Sequence, residues 1–278
     1  MTELLKGKLL AENIRDKAKA RIDKLDHPPG LAVILVGNDP ASHLYVALKE
    51  KAARDVGIYF EKFSYPDHIT DYELVGKIKE LNERDDINGI IVQLPLPEQD
   101  EDTIVSAIDE SKDVDGFHPK NRRKLGAGEP TLAPPVALAV MRLIEASHQP
   151  LKGKKAVVIG NSHVFAEPVM QILQEQGIAT SFLPRDESAL AAKARIADII
   201  VVAVGEADFL KADMVKDGAI IIDVGTNKKE DATIGDTSKE AFQKAAFVSP
   251  VPGGVGPLTV AYLLMNVMRA AEIQESKS

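Results

Sequence analysis

The chain has no cysteine, so disulfides and thiolate metal sites are excluded, and a reducing compartment suits it. No apolar run reaches the about 20 residues of a membrane-spanning helix. The opening stretch MTELLKGKLLAENIRDKAKARI is charged throughout and helically periodic, without the apolar centre of a secretory signal. Six histidines are present, but none fall at a metal-ligand spacing such as HExxH; His43, His118 and His163 read as turn or surface residues, and no metal is expected. Basic excess is missing too: the net charge is −8, which argues against a general nucleic-acid binder. Low-complexity tracts and fixed-period repeats are also absent. These absences leave a soluble, cytoplasmic enzyme as the expectation, with neither nucleic acid nor membrane as partner.

At 278 residues the length prior is about two domains. Such a chain can bury about three quarters of its unfolded surface without a covalent staple. Strand-like runs at 31–36, 58–64 and 87–94 alternate with helical ones at 41–56, 71–83 and 102–111. That alternation predicts βαβ units and a largely parallel sheet. A helix over 135–147 leads to Gln149-Pro150-Leu151-Lys152-Gly153, which reads as a boundary between a first domain, 1–148, and a second, 149–257. The second opens with the strand KKAVVIG, a turn and a helix to about Gln176. Strands near 180–183, 197–204 and 218–224 complete the pattern of a Rossmann-type, doubly wound dinucleotide-binding sheet. The apolar stretch Leu258–Ala271 has helical length.

Tyr45 and Lys49, four residues apart after the turn Gly37-Asn38-Asp39-Pro40, place an aromatic face beside an amine one helical turn away. They lie near the carboxyl end of a buried strand, where ligands bind in open α/β sheets. IIVQLPLP breaks at Pro95 and Pro97 and so sets the amide of Gln93 at another strand end. KDVDGFHP offers Asp113 and Asp115 beside the permissive Gly116, as a loop gripping a polar heterocycle requires. Gly160, Ser162 and Ala166 form a small-residue turn at a helix start, where a phosphate can approach the backbone. Arg185 follows the next strand, where an arginine accommodates the extra phosphate of NADP and an acid would favour NAD; the alternative is a surface arginine paired with Asp186.

With PVPGGVGPLT at 250–259, the segments YVxxK, VQLPLP and KDVDGF coincide in order and spacing with one family. The chain resembles the bifunctional methylenetetrahydrofolate dehydrogenase/methenyltetrahydrofolate cyclohydrolases (the FolD family) over nearly its whole length. The resemblance implies two α/β domains around a cleft, with the helix from 258 to 278 packing back on the first, folate-binding catalytic domain. It also implies a homodimer serving one-carbon metabolism, and through it purine, histidine and methionine biosynthesis. The reaction implied is oxidation of 5,10-methylenetetrahydrofolate with NADP, NAD being less favoured, then hydrolysis of the methenyl product to 10-formyltetrahydrofolate.

In that scheme Lys49 is the base, Gln93 aims its amine, Tyr45 stacks on the ligand and Asp115 holds the pterin. Pro252, Gly253 and Gly254 border the substrate, and Gly160, Asn161, Ser162, Arg185 and Thr226 bind the dinucleotide. A lysine at its ordinary pKa is neutral in only about one molecule in 2,500 at pH 7, so Lys49 has to be depressed to work as a base.

The sequence also departs from the family pattern. Phe165-Ala166 stands where Val-Gly is usual, Glu167 after it brings a negative charge near the phosphate site, Pro184-Arg185 replaces His-Ser, Thr226 replaces Ile, and Pro134-Pro135-Val136-Ala137-Leu138-Ala139 replaces PCTPxG. A cyclohydrolase with weak or lost dehydrogenase activity, a non-catalytic folate or nucleotide module, and a shikimate dehydrogenase-like enzyme are the competing readings.

Overall fold

A computed structural model describes residues 2–229 and 232–276. The chain forms two compact units. One holds residues up to Ala11 together with Val136–Thr259; the other holds Glu12–Pro135 and the chain from Val260 on. The compact units divide at 135/136, and the residues before Glu12 go with the later unit.

The chain starts with a two-residue strand, β1 (Glu3–Leu4), and helix α1 (Gly7–Ile22). The unit of Glu12–Pro135 then builds β2 (Gly30–Val36), α2 (Pro40–Val56), β3 (Tyr59–Tyr65), α3 (Asp71–Asn82), β4 (Gly89–Val92), α4 (Glu101–Ser106) and α5 (Pro119–Gly126). Its sheet is parallel, in the order β3-β2-β4. Every residue of β2 is buried, as its unbroken apolar run requires of a central parallel strand. Leu31, Val33 and Leu35 face one core cluster, and Ala32, Ile34 and Val36 face another.

Helix α6 (Pro135–Glu145) leads into β5 (Lys155–Gly160), α7 (His163–Glu175), β6 (Ala179–Pro184), α8 (Leu190–Ala194), β7 (Ile199–Ala203) and β8 (Ile220–Asp223). A hairpin of β9 (Asn227–Lys229) and β10 (Ala232–Ile234), then α9 (Lys239–Lys244), β11 (Phe247–Val248) and α10 (Val255–Glu275) complete the chain. The second sheet runs β1-β11-β8-β7-β5-β6, with all its pairings parallel. Its winding reverses at β5: β6 lies on one side and β7 on the other, the doubly wound arrangement expected of this half. The crevice at such a reversal, beyond the strands' carboxyl ends, is where this architecture takes ligands.

Helix α10 joins the core of the Glu12–Pro135 unit through Leu263, Leu264, Val267 and Met268. The fully buried Asn266 donates from Nδ2 to the carbonyls of Val114 and Ala133, both at 2.9 Å. No helix among the described residues is long and apolar enough to cross a membrane.

Candidate active site

Helix α2 starts where the sequence stops favouring strand. Asp39 caps it, its carboxylate accepting the Ser42 N–H at 2.7 Å, and Pro40 occupies the first turn, where no amide is needed. Ser42, Val46, Ala53 and Val56 are buried on one stripe. Tyr45 is exposed, and Lys49, one turn further on, is half-buried. Gln93 follows the last residue of β4, and its backbone N–H donates to Ile34 O at 2.9 Å in continuation of the sheet.

The side chains then meet. Lys49 Nζ donates to Gln93 Oε1 at 2.9 Å, while Gln93 Nε2 donates to Leu94 O at 2.7 Å, which fixes which end of the amide faces the lysine. Loss of hydration holds Lys49 below its ordinary value, and the nearby Asp115 carboxylate opposes that shift without cancelling it. Asp115 is pushed upward by the same desolvation, with Lys49 pulling the other way. Both groups are thus biased toward their neutral forms, a lysine amine able to accept a proton and a carboxyl next to it.

The loop carrying Asp115 is built around its neighbour Asp113. That carboxylate is 1% exposed and accepts N–H groups from Gly116 at 3.1 Å, His118 at 2.8 Å and Asn121 Nδ2 at 2.9 Å. Burial raises Asp113 to about 6; its hydrogen bonds oppose that rise, and the like charge of Asp115 adds to it. Gly116 has φ +74°, and a Cβ there would lie 2.6 Å from Pro134 N and 2.8 Å from Leu132 O. Only glycine fits. Lys112 anchors the start of the loop by donating from Nζ to Arg84 O at 2.6 Å, beyond the end of α3.

The other unit holds a second set of expected residues. Gly160 ends β5, and the exposed Asn161 donates from Nδ2 to Val204 O at 2.8 Å, bridging the ends of β5 and β7 at the winding reversal. Ser162 caps α7, accepting the Val164 N–H at 3.1 Å. Arg185 leaves the end of β6, its own N–H donating to Gly160 O at 3.2 Å. Its guanidinium pairs with Glu206, not with Asp186, and lies 5.8 Å from the Phe209 ring. Thr226 is exposed beyond β8. In the turn before α10, Gly253 has φ +105° and accepts the Gly7 N–H at 2.8 Å; a Cβ on Gly7 would collide with Gly254 O at 1.9 Å.

Known proteins show the same layout. The catalytic-domain model of the tetrahydrofolate dehydrogenase/cyclohydrolases matches residues 5–115, and the NAD(P)-binding-domain model of the same enzymes matches residues 134–275. The chain belongs to the tetrahydrofolate dehydrogenase/cyclohydrolase family. A bifunctional FolD protein of Nautilia profundicola is 45% identical over 275 residues, 97% of either chain. The crystal structure of the bifunctional FolD enzyme of Campylobacter jejuni is 40% identical, with a TM-score of 0.94 over 99% of this chain and 100% of that one. The Trypanosoma brucei FolD, solved with NADP cofactor and an inhibitor, is 30% identical, with a TM-score of 0.93 over 99% and 98%. With both halves matched, a different two-domain dehydrogenase no longer competes.

Within the tetrahydrofolate dehydrogenase/cyclohydrolase frame, the structure brings Lys49, Gln93 and Asp115 together in one unit and sets Tyr45 one turn away. The glycine turn and the expected nucleotide residues belong to the other unit. His118 takes the turn position of the two expected for it, in the bend before α5, and is buried there; it caps α5 by accepting the Lys120 N–H on Nδ1 at 3.1 Å, and is held below its ordinary pKa by desolvation. Ala166 is fully buried within α7.

Sequence reasoning missed Asp236, which is 0% exposed. Its carboxylate accepts N–H groups from Val204 at 2.6 Å, Gly205 at 3.0 Å and Glu206 at 3.0 Å. Asp223 does likewise for Gly225 at 3.0 Å, Asp236 at 3.1 Å and Thr237 at 2.8 Å. Two glycines carried the signal. A Cβ on Gly225 would lie 2.1 Å from the Asp236 carboxylate, and one on Gly235 would lie 2.2 Å from that of Asp223.

Proposed function

We propose that this chain oxidises 5,10-methylenetetrahydrofolate to the 5,10-methenyl form with NADP and hydrolyses that cation to 10-formyltetrahydrofolate. The observation that carries the reading is the Lys49–Gln93 hydrogen bond beside Asp115, in a chain of this family. Gln93 accepts one Lys49 N–H and so turns the amine's lone pair away from itself. A cationic methenyl group nearby would depress Lys49 further. Neutral Lys49 then takes the proton of the water that adds to the methenyl carbon and supports release of one ring nitrogen as the C–N bond opens. Tyr45 supplies a face for stacking, and Asp115 accepts N–H donors of the pterin.

The nucleotide residues fit the dinucleotide by their donor chemistry. Gly160 presents bare backbone, α7 begins beside it, and Arg185 offers the guanidinium that a ribose 2′-phosphate prefers. When bound, the nicotinamide ring supplies the hydride acceptor. In this reading Asn161, Ser162 and Thr226 line the dinucleotide, while Pro252, Gly253 and Gly254 border the folate. A homodimer, a cytoplasmic location and a place upstream of purine, histidine and methionine biosynthesis are carried by the family reading alone; light scattering tests the first.

A second reading, hydrolysis with weakened oxidation, is favoured by one observation: Arg185 is already engaged by Glu206. Following the methenyl absorbance band with and without NADP separates the readings. Formation of methenyl product only with NADP, followed by its decay, is expected. Decay of supplied methenyl substrate with no NADP-driven formation would leave the hydrolase alone.

A further inference from the structure

The strands β6 and β7 flank β5, so a bond between the residues that follow them crosses the carboxyl end of β5, where Gly160 gives way to Asn161. Arg185 and Glu206 make that bond. Glu206 is no free surface carboxylate on a loose loop. Its backbone N–H and the two before it are pinned by the buried carboxylate of Asp236, which also accepts Asn227 Nδ2 at 2.8 Å. The loop therefore holds the Glu206 carboxylate against the guanidinium.

We propose that Glu206 sets how strongly this chain discriminates NADP from NAD, by competing with the ribose 2′-phosphate for Arg185. This rests on the assignment of Arg185 to that phosphate. The two side chains are 45% and 54% exposed. An exposed pair of this kind is weak, so a phosphate with two charges and bidentate geometry displaces the carboxylate. Once displaced, Glu206 stays near the phosphate because its backbone is fixed, and like charges then oppose each other. NAD brings no 2′-phosphate and leaves the ion pair intact. Glu206 thus weakens NADP selectively and narrows a preference that Arg185 alone would make wide.

The test is a titration of NADPH and NADH by isothermal calorimetry on the full chain, with wild type, Glu206→Gln, Arg185→Gln and the double variant. Thermal midpoints check that each is folded. Glu206→Gln should tighten NADPH about two- to fivefold, the size of an exposed ion pair, and leave NADH where it was. Arg185→Gln should weaken NADPH toward NADH, and the double variant should lose the gain from Glu206→Gln. If Glu206→Gln leaves NADPH unchanged, or tightens both nucleotides equally, while Arg185→Gln weakens NADPH, the role of Glu206 is overturned and that of Arg185 stands. If Arg185→Gln leaves NADPH unchanged, the assignment of Arg185 falls, and the proposal with it.

Discussion

In the Glu12–Pro135 unit, Asp113 gathers the N–H groups of Gly116, His118 and Asn121; in the other, Asp236 gathers those of Val204, Gly205, Glu206 and Asn227. Each is a buried carboxylate that shapes a loop, and each is fenced by a glycine. The loops differ in what they present. Asp113 braces a loop whose working group, Asp115, interacts with an amine across the site. Asp236 braces a loop whose exposed group, Glu206, pairs with Arg185. The same scaffold device thus sets a carboxyl near an amine in one unit and a carboxylate against a guanidinium in the other.

The sharpest way to break this contrast is Lys49→Ala. Proton transfer by a placed side chain is commonly worth about 100- to 10,000-fold, and methenyl hydrolysis should fall by that much in a variant with an unchanged thermal midpoint. Hydrolysis near the wild-type rate would remove Lys49 from the chemistry. In the wild type, hydrolysis should rise with pH as Lys49 loses its proton, and should do so below the 10.5 of an ordinary lysine.

Next come the fencing glycines. Gly116→Ala forces a side chain onto backbone atoms, and Gly225→Ala forces one onto the Asp236 carboxylate. Overpacking of this kind costs about 1–3 kcal/mol, before any strain from positive φ at Gly116. Calorimetry should show Gly116→Ala weakening folate and Gly225→Ala weakening NADPH; equal losses of both ligands in either variant would mean the braces are not separate devices.

Asp115→Ala should weaken folate binding by about 1–3 kcal/mol, the cost of leaving ring N–H donors unpaired. An unchanged folate dissociation constant would exclude that role. The last test concerns Asp113 and is read as a slope with pH. Its folded pKa is raised to about 6 from 3.8, so its stabilising contribution is complete below pH 4 and is lost as pH rises through 6. The stability difference between wild type and Asp113→Asn, followed by urea melts from pH 4 to 7, should carry that slope, at most about 1.4 kcal/mol per pH unit. A flat difference would show that Asp113 ionises as freely as an unfolded aspartate.

The sequence made the long, regular elements readable, because apolar runs such as 31–36 and 199–203 have only one way to be buried on both faces. The pairs β1 and β11 were invisible. Each is two residues long, and they pair with each other across more than two hundred positions, a property of topology and not of composition. Helix α5, PKNRRKLG, has no apolar stripe; its start is set by His118 and Pro119, and only Asn121 and Leu125 are buried. Helix α4 ends at Ser106, short of the expected 111, because the following residues turn to seat Lys112 and Asp113.

That Lys49 and Gln93 meet was legible because α2 and the residue after β4 both follow the carboxyl ends of neighbouring parallel strands. Which of two aspartates two positions apart is brace and which is working group was not, since their types are identical and only burial separates them. The partner of Arg185 escaped for a related reason: Glu206 is 21 residues away, and sheet order alone makes them neighbours.

The interleaving of the two units has a consequence for biosynthesis. A ribosome delivers the chain in order, yet the unit containing Lys49 includes α10 from Val260 on, and the carbonyls of Val114 and Ala133 accept from Asn266. The early β1 strand pairs with β11, the last strand among the described residues. Neither unit can close on the nascent chain before the segment around 247–268 has emerged, so folding of both should be held to the end of translation, unlike the one-domain-at-a-time order available to contiguous domains.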